Sequence, residues 1–433
     1  MQQNDYVLRT VEERGIGFIQ LWFTDVLGTP KAFHITPQEL EGALEEGMTF
    51  DGSAIDGFSR VQEADVLARP DASTFQILPY VGSGAEIARV VCDISNLDGS
   101  PFEGCPRHTL RRVAGHAKEK GYTFYVAPEI EYFYFANLDP SAPPVPLDRG
   151  GYFDLSPGDR ASDLRRRSVQ VLEEMGIPVE HSQHEDAPSQ HEVDLRYTDV
   201  LTMADTVMTA RLVLKALATQ AGLVASFMPK PLANVQGSGM HTHCSLWTGE
   251  ENAFADPDDE AGLSVTGRAF IAGLLTHAPE LTAVTNQWVN SYKRLVPGHE
   301  APVSIGWARA NRGALVRVPV VKAGKLQSTR LEYRAPDSAC NPYLSFAMIL
   351  AAGLKGIEAG YELDPEMVGA SGARGPLPSN LNDAVDALEA SALAHETLGT
   401  HVVEWFVRNK RAEWGAYKSE ITQFELDRYL PVL

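Results

Sequence analysis

The chain has 433 residues, with 57 acidic against 37 basic side chains and a formal net charge of −20. No basic surplus exists to neutralise the phosphates of a polymer, which excludes nucleic acid as a partner. A 44% hydrophobic and 22% charged composition is that of an ordinary soluble globular protein, long enough for two or more domains.

In chain order, Met1 to Gly15 lacks the apolar run of a signal peptide. Gly17 to Asp25 has strand character, Leu27-Gly28-Thr29-Pro30 turns, and Lys31 to Ile35 returns as the second arm of a hairpin. Thr36 is then expected to cap a helix over Pro37 to Glu46, with Leu40 and Leu44 on one face. Strands follow at Thr74 to Leu78 and Ile87 to Ile94, giving a β-rich N-terminal domain over residues 1–100. Beyond the turn-rich Pro101 to Arg107, helical stretches are expected at Thr109–Lys120, Asp163–Glu173, Val200–Ala221, Leu263–His277, Pro342–Gly360 and Leu381–Ala392. They alternate irregularly with strands and carry no Rossmann or P-loop fingerprint, so residues 101–433 read as an antiparallel α+β domain. The longest apolar run, Tyr343 to Leu354, is too short to span a bilayer and reads as a buried helix. Cys92, Cys105, Cys244 and Cys340 form no paired motif, as expected of reduced thiols in a cytoplasmic protein.

Five segments carry the chemistry. Tyr122 to Phe135 alternates as a strand, so Glu129 and Glu131 share a face with Cα atoms about 6.6 Å apart. Alone they read equally as solvated glutamates, but Phe133 and Phe135 continue the face, and a buried carboxylate needs a cation or a hydrogen-bond donor. Glu185 and Glu192 flank a short turn at Asp186 to Ser189, with His184 and His191 read as hydrogen-bonding support. Gly237-Ser238-Gly239 lets backbone approach a ligand and feeds His241 and His243 into a strand. Asn290 to Glu300 reads as a mobile loop or an ordinary charged surface loop. Arg312, Arg317, Arg330 and Arg334 fall in strand-like segments, Arg330, Glu332 and Arg334 sharing a face that is either solvated or a phosphate and carboxylate site. Five carboxylates and an imidazole suffice for two hard divalent cations, and the arginines beside them suit phosphoryl transfer from a nucleotide.

These motifs resemble the glutamine synthetase family, type I, along nearly the whole chain. The resemblance runs through Phe50-Asp51-Gly52-Ser53-Ala54-Ile55, Phe227-Met228-Pro229-Lys230-Pro231, Gly237 to His241, Asn290 to Arg294, Asn311-Arg312 and Asn341-Pro342-Tyr343. It implies a small N-terminal β-grasp-like domain and a large catalytic domain with an antiparallel sheet and helices. Glu131, Glu185 and Glu192 would hold one Mg2+ or Mn2+, and Glu129, His241 and Glu332 a second. Arg294, Arg334 and the backbone of Gly237 would hold L-glutamate. Arg312, Arg317 and Arg330 would meet the phosphates of ATP, with His243 and Ser245 near the nucleotide. Asp51 from a neighbouring subunit, with Ser53, Tyr152 and Glu185, would bind the amine and take its proton, and Glu300 would close as a flap. Family members are dodecamers of two hexameric rings.

Departures from the family pattern fall near the expected amine pocket. The usual His-His-Glu-Val-Ala is Gln183-His184-Glu185-Asp186-Ala187, the asparagine before Gly-Ser-Gly-Met-His is Gln236, and the phenylalanine after the last arginine is Ala335. Ala127 to Glu131, Thr285 to Asn290 and Arg428 to Leu433 are similar to an actinobacterial paralogue group, some of whose members are γ-glutamylpolyamine synthetases. Arg60 matches a feedback position of another subclass. The implied activity is ATP-dependent ligation of L-glutamate to ammonia through γ-glutamyl phosphate. The alternatives are a polyamine or monoamine as acceptor and, with less support, a catalytically silent structural homologue or a guanidino kinase.

Overall fold

The computed structural model describes residues 3–58, 65–81, 86–136, 142–155, 161–369 and 371–433. The chain opens with a helix not anticipated from sequence, α1 (Gln3–Arg14), which buries only Val7 and Val11. The expected hairpin follows as β1 (Phe18–Thr24) and β2 (Pro30–Ile35), paired antiparallel from Ile19↔Ile35 to Thr24↔Pro30. Thr36 precedes a short 3-10 turn rather than an α-helix, and its side chain makes no capping bond. The α-helix, α2, spans Leu40–Glu46.

β3 (Met48–Asp51), β4 (Asp65–Pro70), β5 (Gln76–Ile77) and β6 (Ile87–Ser95) complete a sheet of order β2-β1-β6-β4-β3, with β5 also on β6. The strand expected at Thr74 to Leu78 shrinks to two residues, because Asp71 caps a 3-10 turn over Ala72–Thr74. β1 and β6 run parallel. Leu21, Phe23, Phe58, Val66 and Val90 form the small core beneath this sheet, joined by Phe102 and Cys105.

The larger part is built on β7 (Thr123–Phe135), a strand 13 residues long. α3 (Pro106–Glu119) precedes it, and α4 (Ser162–Glu174) leads into the hairpin β8 (Val179–His184) and β9 (Gln190–Leu195). After the short β10 (Thr198–Asp199) come α5 (Val200–Gln220), β11 (Val224–Ser226), β12 (Thr242–Thr248), β13 (Glu251–Asn252) and α6 (Val265–Thr285). α7 (Ser291–Arg294), β14 (Ser304–Ala308), β15 (Ala314–Arg317) and β16 (Leu331–Tyr333) follow, then α8 (Pro342–Ala359). The sheet runs β14-β15-β16-β12-β7-β9-β8, antiparallel except for the edge pair β14–β15. This is the expected α+β class.

α8 is the buried helix read from the apolar run. Pro342 stands in its first turn, Asn341 accepts from the N–H groups of Tyr343 and Leu344, and the left-handed Gly360 ends it. The helix expected over Leu381 to Ala392 stops at Glu389 as α9 (Leu381–Glu389), because Ser391 caps a new one, α10 (Ala392–Leu398). α11 (Thr400–Ser419) and α12 (Gln423–Tyr429) went unread in the sequence, their polar faces masking the period. No helix among the described residues is long and apolar enough to cross a membrane. All four cysteines are free, and all are buried.

Arg107 and Asn341 are among the side chains that tie the small sheet to the large part. Arg107 on α3 reaches Asp71 at 2.9 Å, Asp93 at 2.8 Å and Asp205 on α5 at 2.8 Å. Asn341 donates to the carbonyls of Asp25 and Val26, each at 3.1 Å.

Candidate active site

β7 presents two glutamates to one side because a strand repeats every second residue. Its partner β9 does the same: Glu131 lies opposite Glu192, and Glu129 opposite Asp194. β8 sets Gln183 opposite Glu192, while on the other side β12 sets His243 opposite Glu332 of β16. Short-range alternation on five strands thus gathers side chains from across 200 positions. The result is a cavity of about 180 Å³ lined by eight carboxylates and four arginines, Arg294, Arg312, Arg317 and Arg334.

Two glycines make room for its floor. A Cβ on Gly237 would lie 2.2 Å from the Pro229 carbonyl oxygen, and one on Gly239 2.5 Å from an Arg294 nitrogen. The bare Gly239 also donates its N–H to Glu131 at 2.9 Å, beside a second donor, Gln190 Nε2, at 2.9 Å. Arg294 is only 3% exposed. The segment read as a mobile loop from Asn290 to Glu300 therefore begins as a helical turn, α7, locked where the Asn290 amide exchanges hydrogen bonds with both backbone groups of Lys230. Arg294 donates to the carbonyls of Ala335 and Arg334.

Electrostatically the cavity has two ends. At one, burial works against the Glu129 charge, but hydrogen bonds from His241 (3.0 Å) and His243 (2.7 Å) hold its carboxyl well below the usual range. Glu332 is likewise buried yet held low by Arg334 and both imidazoles, and Arg317 donates to it at 2.9 Å. At the other end, burial and the Glu185 charge push Glu131 up to about 8. Burial raises Glu185 as well, and burial with Asp194 raises Glu192 far above the carboxylate range. Those three carboxyls crowd together, with Gln183 Nε2 donating to Glu185 at 3.2 Å and to Glu192.

The residues fit divalent cations. Three buried carboxyls with too few donors are what a hard cation neutralises. Glu129, His243 and Glu332 already bring ligand atoms within 4.8 Å of one another, and burial with Arg334 disfavours a protonated His241, leaving a nitrogen to coordinate. A second such group, Asp148, His184 and His191, lies behind the hairpin. There Arg165 stands 2.7 Å from His191 Nδ1, a cation where an ion would have to sit. The Nε atoms of Arg317 and Arg334 are buried without hydrogen-bond partners, two donors left for an anion.

Most of the expected residues meet here. Glu129, Glu131, Tyr152, Glu185, Glu192, Gly237, His241, Arg294, Glu300, Arg312, Arg317, Glu332 and Arg334 all line the cavity. Of the four arginines expected in strands only Arg317 lies in one: Arg330 and Arg334 flank β16, and Arg312 sits in a turn, 3.7 Å from the Glu300 carboxylate. Glu300 itself has a left-handed φ of 51°, and its carbonyl accepts from Arg334 at 3.2 Å. His243, Ser245 and Arg330 lie just outside: Arg330 donates to His243 Nδ1 at 3.3 Å, and Ser245 accepts from Trp247 at 3.0 Å. Asp51 and Ser53 are exposed and contribute nothing to the cavity of their own chain; Asp51 caps the Ser53 N–H at 2.8 Å. Arg60 lies outside the described residues.

Sequence reading did not assign Phe153, His181, Asp194 or His299 to the cavity wall. Asp194, opposite Glu129, is pushed up to about 9 by burial and Glu129. Its place two residues after Glu192 on a strand was the available signal. Asp186 and Gln236 bond across the mouth at 3.1 Å, and only the fold brings them together.

Nearly the whole chain is similar to known families and structures. The model of the glutamine synthetase catalytic domain matches residues 103–429, and that of the glutamine synthetase β-grasp domain residues 15–97. The glutamine synthetase of Mycobacterium tuberculosis (strain H37Rv) is 54% identical over 443 residues, 99% of each chain. That of Thermotoga maritima is 46% identical over 436 residues, 98% of each. Among solved structures, a GmaS chain in complex with ADP matches at TM-score 0.89 and 35% identity, covering 98% of this chain and 99% of that one. The Plasmodium falciparum glutamine synthetase matches at TM-score 0.91 and 25% identity, covering 99% of each.

Proposed function

This chain belongs to the glutamine synthetase family of ATP- and divalent-metal-dependent ligases, and from that membership we propose that it joins the γ-carboxylate of L-glutamate to ammonia. The observation that carries the reading is the cavity itself, where eight carboxylates and four arginines meet and three of the carboxyls are short of positive charge.

The proposed roles follow from what each group can donate or accept. Glu131, Glu185 and Glu192 would hold one Mg2+ or Mn2+, and Glu129, His241 and Glu332 another, with His243 beside them. Cations bound there would supply positive charge to the phosphoryl group in transfer. Arg294 and Arg334 receive the carboxylates of glutamate over the bare backbone of Gly237. Arg312, Arg317 and Arg330 receive the phosphates of ATP, and His243 and Ser245 lie toward the nucleotide. A γ-carboxylate oxygen of glutamate attacks the terminal phosphorus, giving γ-glutamyl phosphate and ADP. The amine nitrogen then attacks the activated carbonyl and phosphate leaves.

An amine attacks as the free base yet binds best to carboxylates as a cation. Tyr152 and Glu185 supply one side of that pocket. Asp51 and Ser53, exposed and away from their own cavity, supply the other from a neighbouring subunit, with Asp51 taking the proton. A homo-oligomer, a dodecamer in this reading, is then required for turnover. Glu300, anchored by its backbone to Arg334, shields the acyl phosphate from water.

A second reading, an organic amine as acceptor, has its own support. Gln183 stands beside Glu185 where the family pattern has histidine, and the GmaS neighbour is a glutamylmethylamide synthetase.

The test is phosphate release from ATP with Mg2+ and L-glutamate against ammonium, methylamine, ethanolamine, putrescine and spermine. Strong release with ammonium is expected; release only with an organic amine moves the assignment to a γ-glutamyl-amine ligase. Silence with every amine overturns both. Mixing inactive Asp51→Ala and Glu131→Gln subunits tests the shared site: hybrid oligomers regain activity only if the two residues serve one cavity from different chains.

A further inference from the structure

The wall of the cavity that carries Tyr152 and Phe153 comes from residues 142–155, a stretch without helix or strand. Such a stretch must find partners for its backbone groups elsewhere. One carboxylate serves the Gly150 N–H of this stretch and ties the stretch to the hairpin beyond it. Asp148 Oδ1 accepts from the N–H of Gly150 at 3.0 Å, from the N–H of Ser189 at 2.9 Å and from His184 Nε2 at 3.0 Å.

Ser189 answers from the tip of the β8–β9 hairpin. Its Oγ accepts from the N–H groups of Asp148, at 3.1 Å, and Leu147. Its φ of 61° is one that residues other than glycine seldom adopt, so the bonds hold a turn the backbone alone would not favour. His184 is the third member. It is buried, its Nδ1 donates to the Glu185 carbonyl at 2.7 Å, and its own carbonyl accepts from the Phe153 N–H at 3.1 Å. The fit leaves no slack: a Cβ on Gly150 would lie 2.6 Å from His184 Nε2.

Loop and hairpin are therefore one clamped unit, with Tyr152 and Phe153 on one arm and Glu185 on the other. Asp148, His184 and Ser189 do not line the cavity, so they act through the groups they hold. We propose that the Asp148–His184 pair is the positioning device of the amine acceptor, setting the gap between the aromatic wall at Tyr152 and the carboxylate of Glu185. The inference rests on the ligase reading above. Its physical basis is that displacement by about 1 Å of a positioning group can cost a factor of about 100 in rate.

A merely structural role would move every kinetic constant together, whereas a clamp on this wall moves those of the amine. The experiment uses the full-length, Mg2+-loaded oligomer, with KM measured for the accepted amine, L-glutamate and ATP. Asp148→Ala is expected to raise the amine KM by about tenfold or more, with the KM values for L-glutamate and ATP within about threefold. Asp148→Asn keeps an oxygen that accepts from Gly150, Ser189 and His184, and should bring the amine KM back to within about threefold of the unsubstituted enzyme. Should Asp148→Ala fail to assemble, Ser189→Ala, which removes only the hydroxyl acceptor, is read for the same split. An unmoved amine KM, or three KM values rising together, overturns the proposal. No amine-dependent release from the unsubstituted enzyme overturns the ligase reading and this one with it; an active enzyme with an unmoved amine KM overturns the clamp alone.

Discussion

At one end of the cavity Glu129 and Glu332 sit among two imidazoles, His241 and His243, and two cations, Arg317 and Arg334. At the other, Glu131, Glu185 and Glu192 face mostly one another, with amide and backbone donors too few to carry their charge. The same side chain is thus held ionised in one place and pushed toward neutrality in the other. Neighbours decide, not residue type. The difference also has a mechanistic consequence. A cation entering the first end must displace arginine contacts already made, whereas one entering the second fills an electrostatic deficit.

The sharpest test of this contrast is Glu131→Gln. Amine-dependent phosphate release should fall by about 1,000-fold, as when a preorganised charge-stabilising group is lost. Thermal stability of the metal-free protein at pH 8 should hold or rise, since a buried, unpaired charge is removed. A large loss of stability would erase the distinction between the ends.

Glu332→Ala should behave in the opposite way. It strands the buried Arg334 and removes a partner from the partly exposed Arg317, so the metal-free protein should lose about 3–5 kcal/mol in denaturant unfolding. Unchanged stability would mean those ion pairs compensate no desolvation.

pH provides a graded version. Glu131 is raised by burial and Glu185 to about 8 in the folded state, from an ordinary 4.5. A carboxyl raised on folding stabilises the fold below its unfolded value and loses that contribution as pH climbs through the folded one. Metal-free stability should therefore decline between about pH 4.5 and 8. Divalent cations bind the ionised form, so the stabilisation from Mn2+ should grow over the same window, toward about 2.7 kcal/mol at 100 times Kd. A metal-induced rise in melting temperature equal at pH 5.5 and 8.5 would contradict the raised carboxyls.

The smallest effect expected is from Gln183→His, which exchanges the donor shared by Glu185 and Glu192. The ratio of kcat/KM for ammonium to that for methylamine should rise by about threefold, on the order of 0.7 kcal/mol in transition-state preference. A ratio that stays put would remove Gln183 from the choice of amine.

Much of this arrangement was legible beforehand where chemistry repeats on a strand period. Glu129 and Glu131 on β7, and Arg317 and Glu332 near the cavity, met as the alternation and motifs implied. The reading failed where local signals conflict with tertiary contacts. Thr36 looked like a helix cap and makes no capping bond. Asn290 to Glu300 looked mobile because its charges and its glycine suggest solvent, yet Arg294 is sealed by carbonyls of residues some forty positions away. α11 buries only Val402, Val403, Phe406, Val407 and Lys410, too sparse a stripe to recognise without the surface it packs on.

Residue identity and strand period fix which donors exist and which of them share a face, because side-chain direction along a strand follows from backbone geometry alone. Tertiary structure alone decided their protonation, since that depends on distances between β7, β9, β12 and β16 and on the water they exclude. It also decided that Asp51 stands outside the cavity its own chain builds. An exposed carboxylate is indifferent to its own fold, and only the spatial path of β3 sets which cavity it can reach.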